Sequence, residues 1–127
     1  EEIIKIISKP AKGFSYTAVS FYGAGGAISD VDKSATAYYY RDAKFIVGIQ
    51  SVWEEDIYAE DNKEWVKENF SIIKDMTKGS FVNFPLDELD NFEKEYYGDN
   101  LDKLRKVKSK YDPLNIFDYP QAIRGKS

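Results

Sequence analysis

Ile3, Ile4, Ile6 and Ile7 recur at helical spacing at the start of the chain, and Lys9-Pro10-Ala11-Lys12-Gly13 closes that segment with a Pro and a Gly, so a short helix is predicted to about Ser8. From Phe14 to Tyr22 the residues are aromatic, Thr, Val and Ala, which predicts a strand, and a glycine cluster at Gly23, Gly25 and Gly26 interrupts it. Ala35–Tyr40 and Lys44–Trp53 read as two further strands, antiparallel across the short Arg41-Asp42-Ala43 connection. The period then changes. Over Ala59–Lys78, Trp65, Asn69, Ile72 or Ile73, and Met76 share one helical face opposite Glu64, Lys67, Glu68 and Lys74, which predicts the longest helix, packed on the sheet. Ser80–Phe84 is a short apolar strand stopped by Pro85, and Leu86 to Glu95 predicts a turn of helix. Asp99 is placed to cap a last helix with Leu101, Leu104, Val107 and Tyr111 on its apolar side. Pro113 ends that helix, and an extended apolar tail leaves from Ile116-Phe117. Strands and helices are grouped rather than strictly alternating, so the fold class is α+β: an antiparallel sheet with helices on one face, then a capped helix and a tail.

Composition narrows the chemistry. At 127 residues there is one domain's worth of chain, short for a protein that encloses a large cofactor by itself. The formal charge of −4 argues against nucleic acid as a partner, since phosphate neutralisation needs a basic face. The basic cluster Lys103, Arg105, Lys106, Lys108 and Lys110 reads as the solvated side of the last helix. No apolar run approaches the roughly 20 residues that span a bilayer, and no leader pattern opens the chain, so the expected setting is soluble, cytoplasmic and away from membranes. The absence of Cys and His removes thiol and imidazole chemistry and the usual zinc ligands; no metal is expected.

Two clusters resemble binding loops and fail on inspection. Gly23-Ala24-Gly25-Gly26 lacks the Lys-Ser/Thr and the helix that a phosphate cradle needs, so a strand bulge or close backbone approach is the better reading. Glu54-Glu55-Asp56 are consecutive residues pointing in different directions, which makes a solvated loop and not a cation cage.

Three pieces together carry a resemblance. The first is Tyr96 to Ile123, in which Tyr-Gly-x-Asn, Leu-Arg, Lys-x-Lys-Tyr-Asp-Pro and Pro-Gln-x-Ile follow in order. The second is Gly25-Gly26-Ala27-Ile28, Thr36-Ala37-Tyr38-Tyr39-Tyr40-Arg41 and the strand ending at Trp53; the third is Phe81-Val82-Asn83-Phe84. From about Gly25 to Ile123 the chain resembles the C-terminal portion of the berberine-bridge-enzyme-like family of FAD-linked oxidases. The resemblance implies a fragment of an FAD-dependent oxidoreductase, with 1–78 as a partial substrate-binding region and 79–127 as the family's C-terminal segment. A small organic substrate would be oxidised on the flavin face by the full-length parent, while the isolated chain would be inactive and hold no FAD. The partners implied are a missing N-terminal FAD-binding domain and the small-molecule substrate, with self-association through the severed surface also expected.

The same resemblance assigns residues. Strand alternation puts Ile46, Gly48 and Gln50 on one face, where the family places substrate-lining side chains. Gln50 is either a substrate-orienting amide or a polar residue on a half-exposed strand, and both readings stand open. Phe81-Val82-Asn83-Phe84 is similar to the family's Tyr-x-Asn-Tyr strand, which implies that Phe81 and Asn83 meet the cofactor and that Phe84 lines the substrate. From the residues alone the competing reading is a core strand whose Asn caps a turn at Pro85. Phe84 replaces the family tyrosine and carries no ionisable proton, so no catalytic base is assigned. The competing class is a non-catalytic binding or assembly module that retains the same fold element.

Overall fold

The computed structural model describes residues 1–125; the last two residues of the 79–127 segment lie outside the described residues. The chain forms α1 (Glu2–Ile7), β1 (Phe14–Gly23), β2 (Phe45–Trp53), α2 (Ala59–Asp75), α3 (Phe92–Tyr97) and α4 (Leu101–Tyr111), joined by short 3-10 turns at Gly26–Ile28, Asp56–Tyr58 and Gly98–Asn100. It divides into two compact units, one made of 1–23 and 45–78, the other, among the described residues, of 24–44 and 79–125.

In the first unit β1 and β2 pair antiparallel, with Val19 opposite Ile49, Ser20 opposite Gly48 and Tyr22 opposite Ile46. Val19, Val47 and Ile49 point to one side and pack on a core of Ile6, Ala11, Trp65 and Ile73 supplied by α1, the following loop and α2. Ile73, and not Ile72, is the inward residue of the pair named in the sequence, and Met76 is exposed. The most enclosed side chain is polar. Asn62 has 0% of its surface exposed; its amide donates to the carbonyls of Lys12 (3.0 Å) and Tyr58 (2.8 Å), and its oxygen accepts from the Ser51 hydroxyl. One side chain thereby ties the helix to the sheet and to the loop after α1. Trp65 adds a second tie, its indole N–H donating to the Lys9 carbonyl at 2.6 Å.

The other unit departs from the four-strand expectation. β1 and β2 form a two-stranded sheet, and neither 35–40 nor 80–84 is a strand. The reason lies in where the backbone groups go: the Asn100 amide donates to the Lys33 and Thr36 carbonyls at 2.6 and 3.1 Å, and the Lys103 ammonium to the Ser34 carbonyl, so side chains replace a ladder. The β-rich run 38–40 is spent on single contacts instead. Phe81 to Phe84 is a tight turn closed by Phe84 N–H to the Phe81 carbonyl at 3.0 Å, consistent with Asn83 at a turn position and Pro85 after it.

Helix α4 also differs from its sequence reading. Asn100, not Asp99, is its N-terminal flanking residue, because the Asp99 carboxylate is taken by the Tyr39 hydroxyl and the Lys94 ammonium. Its inward stripe is Leu101, Leu104, Arg105 and Lys108, whereas Val107 and Tyr111 are exposed. Polar residues can turn inward here because both find anions: Arg105 pairs with Glu93, and Lys108 pairs with Asp112 while also donating to the Phe117 carbonyl. Asp112 then accepts from the backbone N–H groups of Ile116 and Phe117, so the tail starts with a turn rather than an extended run. Past it, Gln121 is clamped, accepting from the Tyr96 hydroxyl and donating to the Leu86 carbonyl.

Candidate functional site

Two local arrangements hold the residues the sequence singled out, one in each unit. The first is the side of the β1–β2 hairpin turned away from α2. Since Val19, Val47, Ile49 and Ser51 face the helix, alternation sends Tyr16, Ala18, Ser20 and Tyr22 of β1 and Ile46, Gly48, Gln50 and Val52 of β2 to the other side. Ile46, Gly48 and Gln50 thus share a face. Tyr22 leans across it: a Cβ added at Gly48 would lie 3.3 Å from the Tyr22 ring. Glycine at 48 leaves the space the ring fills. The face carries two phenols, one hydroxyl, one amide and a floor of small residues, and none of its eight side chains is charged at neutral pH. Tyr16 and Tyr22 were not singled out from the sequence, although the alternation that selected Gln50, applied to β1, gives them directly.

The second arrangement is the turn at 81–84. The Phe81 and Phe84 rings meet edge to face at 5.6 Å between centroids, and the Tyr38 ring meets Phe81 in the same manner at 5.8 Å. Phe84 is 52% exposed, which keeps it out of a closed core. Asn83 is exposed and its amide makes no hydrogen bond among the described residues, so it is not the buried, satisfied asparagine of a core strand. Arg41 lies over the Tyr38 ring, its guanidinium carbon 5.1 Å from the centroid, and is held by the Thr36 hydroxyl at 2.6 Å. Burial pushes the Tyr38 phenol up, against the opposing pull of the Arg41 charge. Tyr40 is pushed up to about 12, chiefly by burial and then by Glu95.

Neither arrangement is a metal centre: among the described residues no three of His, Cys, Asp and Glu are grouped to hold an ion. A shallow recess lined by Asn91, Phe92, Glu93, Lys94, Leu101 and Arg105 has its charges matched, Arg105 by Glu93 and Lys94 by Asp99. Among the described residues no helix is long and apolar enough to cross a membrane.

The family model described as berberine and berberine like matches residues 80–124, the stretch that holds the 81–84 turn, α3, α4 and the clamped tail. An FAD-linked oxidoreductase of uncharacterised activity from Bacillus subtilis, YvdP, is 36% identical over 125 residues, covering 97% of this chain and 28% of its own length. The chain belongs to the berberine-bridge-enzyme-like family. Its fold is similar to that of solved oxidases: a glycopeptide hexose oxidase complexed with teicoplanin superposes with a TM-score of 0.88 at 27% identity over 97% of this chain and 28% of that one. A carbohydrate oxidase from Microdochium nivale, in complex with a substrate analogue, gives 0.67 at 27% identity over 78% and 22%. The chain therefore spans about a quarter of the length of these relatives.

FAD, implied by the family, can be tested against the residues present. The uncommitted Asn83 amide next to the exposed Phe84 ring suits the polar edge and flat face of a flavin. The pyrophosphate is another matter. Gly26–Ile28 is a single 3-10 turn, not a helix start, so the glycine cluster of this berberine-bridge-like chain makes no phosphate cradle.

Proposed function

We propose that this chain is the C-terminal portion of an FAD-dependent oxidoreductase that oxidises a neutral, hydroxylated ring compound of the sugar class, and that the portion alone is inactive. The observation that carries the substrate class is the uncharged outer face of the β1–β2 hairpin. Tyr16 and Tyr22 offer aromatic surfaces on which the C–H face of a sugar ring stacks, and Gln50 and Ser20 offer an amide and a hydroxyl to its O–H groups. A cationic amine or a carboxylate would find no counter-charge there. The names of the two solved relatives, a hexose oxidase and a carbohydrate oxidase, support the same class.

FAD, when bound, supplies the two-electron acceptor that makes carbinol oxidation possible. The residues of this chain would orient and exclude. Asn83 would hold the ring edge of the cofactor, and Phe81 and Phe84 would keep water from it while offering no proton. Gln50 and Ser20 would fix the substrate's hydroxyls so that one C–H bond is presented in a single orientation. Leu114, Ile116, Phe117 and Tyr119 are all exposed, and Asp112 fixes the start of that strip, which suits docking on the FAD-binding domain of the full-length protein.

The deciding experiment is anaerobic flavin reduction by the full-length protein, offered neutral sugars, amines and hydroxy acids in parallel. Bleaching of the flavin by the neutral sugars is expected. A full-length protein that carries no flavin, or is reduced by the amines alone, refutes the reading.

A further inference from the structure

The two faces of the β1–β2 hairpin are built differently. The side on α2 is aliphatic, with Val19, Val47 and Ile49 packed on the core around Trp65 and Ile73. The outer side has a phenol toward each end and small residues between: Tyr16 pairs with Val52, Ala18 with Gln50, Ser20 with Gly48 and Tyr22 with Ile46. A face that served only to pack on more protein would repeat the aliphatic pattern of the first side. Phenol, hydroxyl and amide groups around a floor of Ala18, Ser20 and Gly48 instead suit a neutral ligand rich in O–H groups.

The length of that floor is the second observation. Tyr16 and Tyr22 lie six residues apart on one strand, about 20 Å at the usual rise. The Tyr22 ring leans toward Tyr16 by one cross-strand pair: a Cβ at Gly48 would lie 3.3 Å from the ring and 4.0 Å from its hydroxyl. About 13 Å of small-residue floor is left between that ring and Tyr16. Both tyrosines are open to a ligand, Tyr16 being 51% and Tyr22 45% exposed. A single hexose ring stacked on one of them does not reach the other, whereas a linear chain of linked rings laid along β1 stacks on both. The two ends also differ. Ser20 neighbours Tyr22 on the same face, while the cross-strand partner of Tyr16 is the aliphatic Val52, so the Tyr16 end offers stacking without hydrogen bonds.

We propose that the substrate is a linear neutral oligosaccharide of roughly three rings or more, with the reacting ring held at Tyr22, Ser20 and Gln50 and a distant, unreacting ring stacked on Tyr16. This rests on the function proposed above and narrows its substrate from a sugar ring to a chain of them. Contact with a ring that does not react is the same in the ground state and the transition state, so Tyr16 acts on KM and not on kcat.

The test follows anaerobic flavin reduction of the full-length flavoprotein by matched sugars: glucose against cellotetraose and maltotetraose, and xylose against xylotetraose. The tetraose of the accepted sugar is expected to exceed its monosaccharide in kcat/KM by about tenfold, the gain from one further aromatic stacking contact. Tyr16→Ala is expected to erase most of that ratio by raising KM for the tetraose, and Tyr16→Phe, which keeps the ring, to retain it. Should Tyr16→Ala fail to fold, Ala18→Leu raises the floor between the two tyrosines and is expected to lower the same ratio. Equal kcat/KM for monosaccharide and tetraose in the wild type overturns this inference alone, as does a ratio that Tyr16→Ala, or Ala18→Leu in its place, leaves intact. A wild type whose flavin none of these neutral sugars reduces overturns the proposed function and this inference with it.

Discussion

Replacing Asn62 by Asp changes two atoms' chemistry and almost no volume, so it isolates what the buried amide contributes. The side chain is fully enclosed, and two of its three hydrogen bonds run from its N–H groups to the Lys12 and Tyr58 carbonyls. A carboxylate in that position turns both contacts into oxygen facing oxygen. Losing the two donations removes about 0.5–1.5 kcal/mol each. Enclosing an anion whose only donor is the Ser51 hydroxyl raises the total to about 3–5 kcal/mol, the usual scale for an uncompensated buried charge. The Lys12 ammonium is no remedy, since it sits over the Tyr58 ring. Against a net stability of roughly 5–15 kcal/mol, that loss shifts the urea midpoint far to the left at unchanged slope. The sign with pH follows from linkage: burial raises the folded-state pKa of the new carboxyl, so the folded form binds the extra proton and the defect grows as pH climbs above about 4. Urea unfolding at pH 4 and pH 7, followed by Trp fluorescence, measures both quantities. A variant within about 1 kcal/mol of wild type at pH 7, with no pH trend, would show that the Asn62 network contributes nothing.

Gly98 has φ +51° and a Cβ there would lie 2.2 Å from the Tyr39 ring, so Gly98→Ala should cost well over 1 kcal/mol, whereas Gly23→Ala, with nothing within 4 Å, should be close to neutral; paired urea titrations compare them. Tyr40 is a phenol whose folded pKa of about 12 exceeds its ordinary value near 10, so its contribution is intact below pH 10 and drains away as pH rises from 10 to 12; melting temperatures should fall across that window, less steeply in Tyr40→Phe, and parallel curves would refute the assignment. The chain alone should fail to hold FAD tightly, because no described residues cradle a pyrophosphate; fluorescence titration giving a sub-micromolar constant would mean that the cofactor's main anchor lies within this chain.

Periodicity made the first unit legible. The change from period two at Trp53 to a helical pattern placed β2 and α2 and named Trp65 as inward, while it left Ile72 or Ile73 open and wrongly put Met76 on the same face. Asn62 escaped notice because an asparagine between charged neighbours reads as surface; only the fold brings Lys12, Tyr58 and Ser51 around it. In the second unit, local propensity misled. Ala35–Tyr40 is rich in strand formers, yet the carbonyls of Lys33, Ser34 and Thr36 are taken by the Asn100 and Lys103 side chains, and the Tyr39 and Tyr40 rings cover Gly98 and Gly79. Similarly, Lys108 and Arg105 looked solvated until their partners Asp112 and Glu93 were in place. The shared face of Ile46, Gly48 and Gln50 on β2 fell to alternation, and the same rule applied to β1 puts Tyr16 and Tyr22 together on one face.

The residues that carry the family signature are mostly builders. Gly98 admits the Tyr39 ring, Asn100 holds the carbonyls of Lys33 and Thr36, and Gln121 joins Tyr96 to Leu86. Each acts by packing or hydrogen bonding inside one unit, and none of these contacts depends on a reaction. That is why a match through 80–124 can hold without assigning a chemical role to Phe81 and Phe84 inside the same stretch. Membership therefore fixes the scaffold and says little about the proton's route or the substrate. Under the proposed function the substrate class is read instead from the uncharged face of the β1–β2 hairpin, which lies outside the matched stretch altogether.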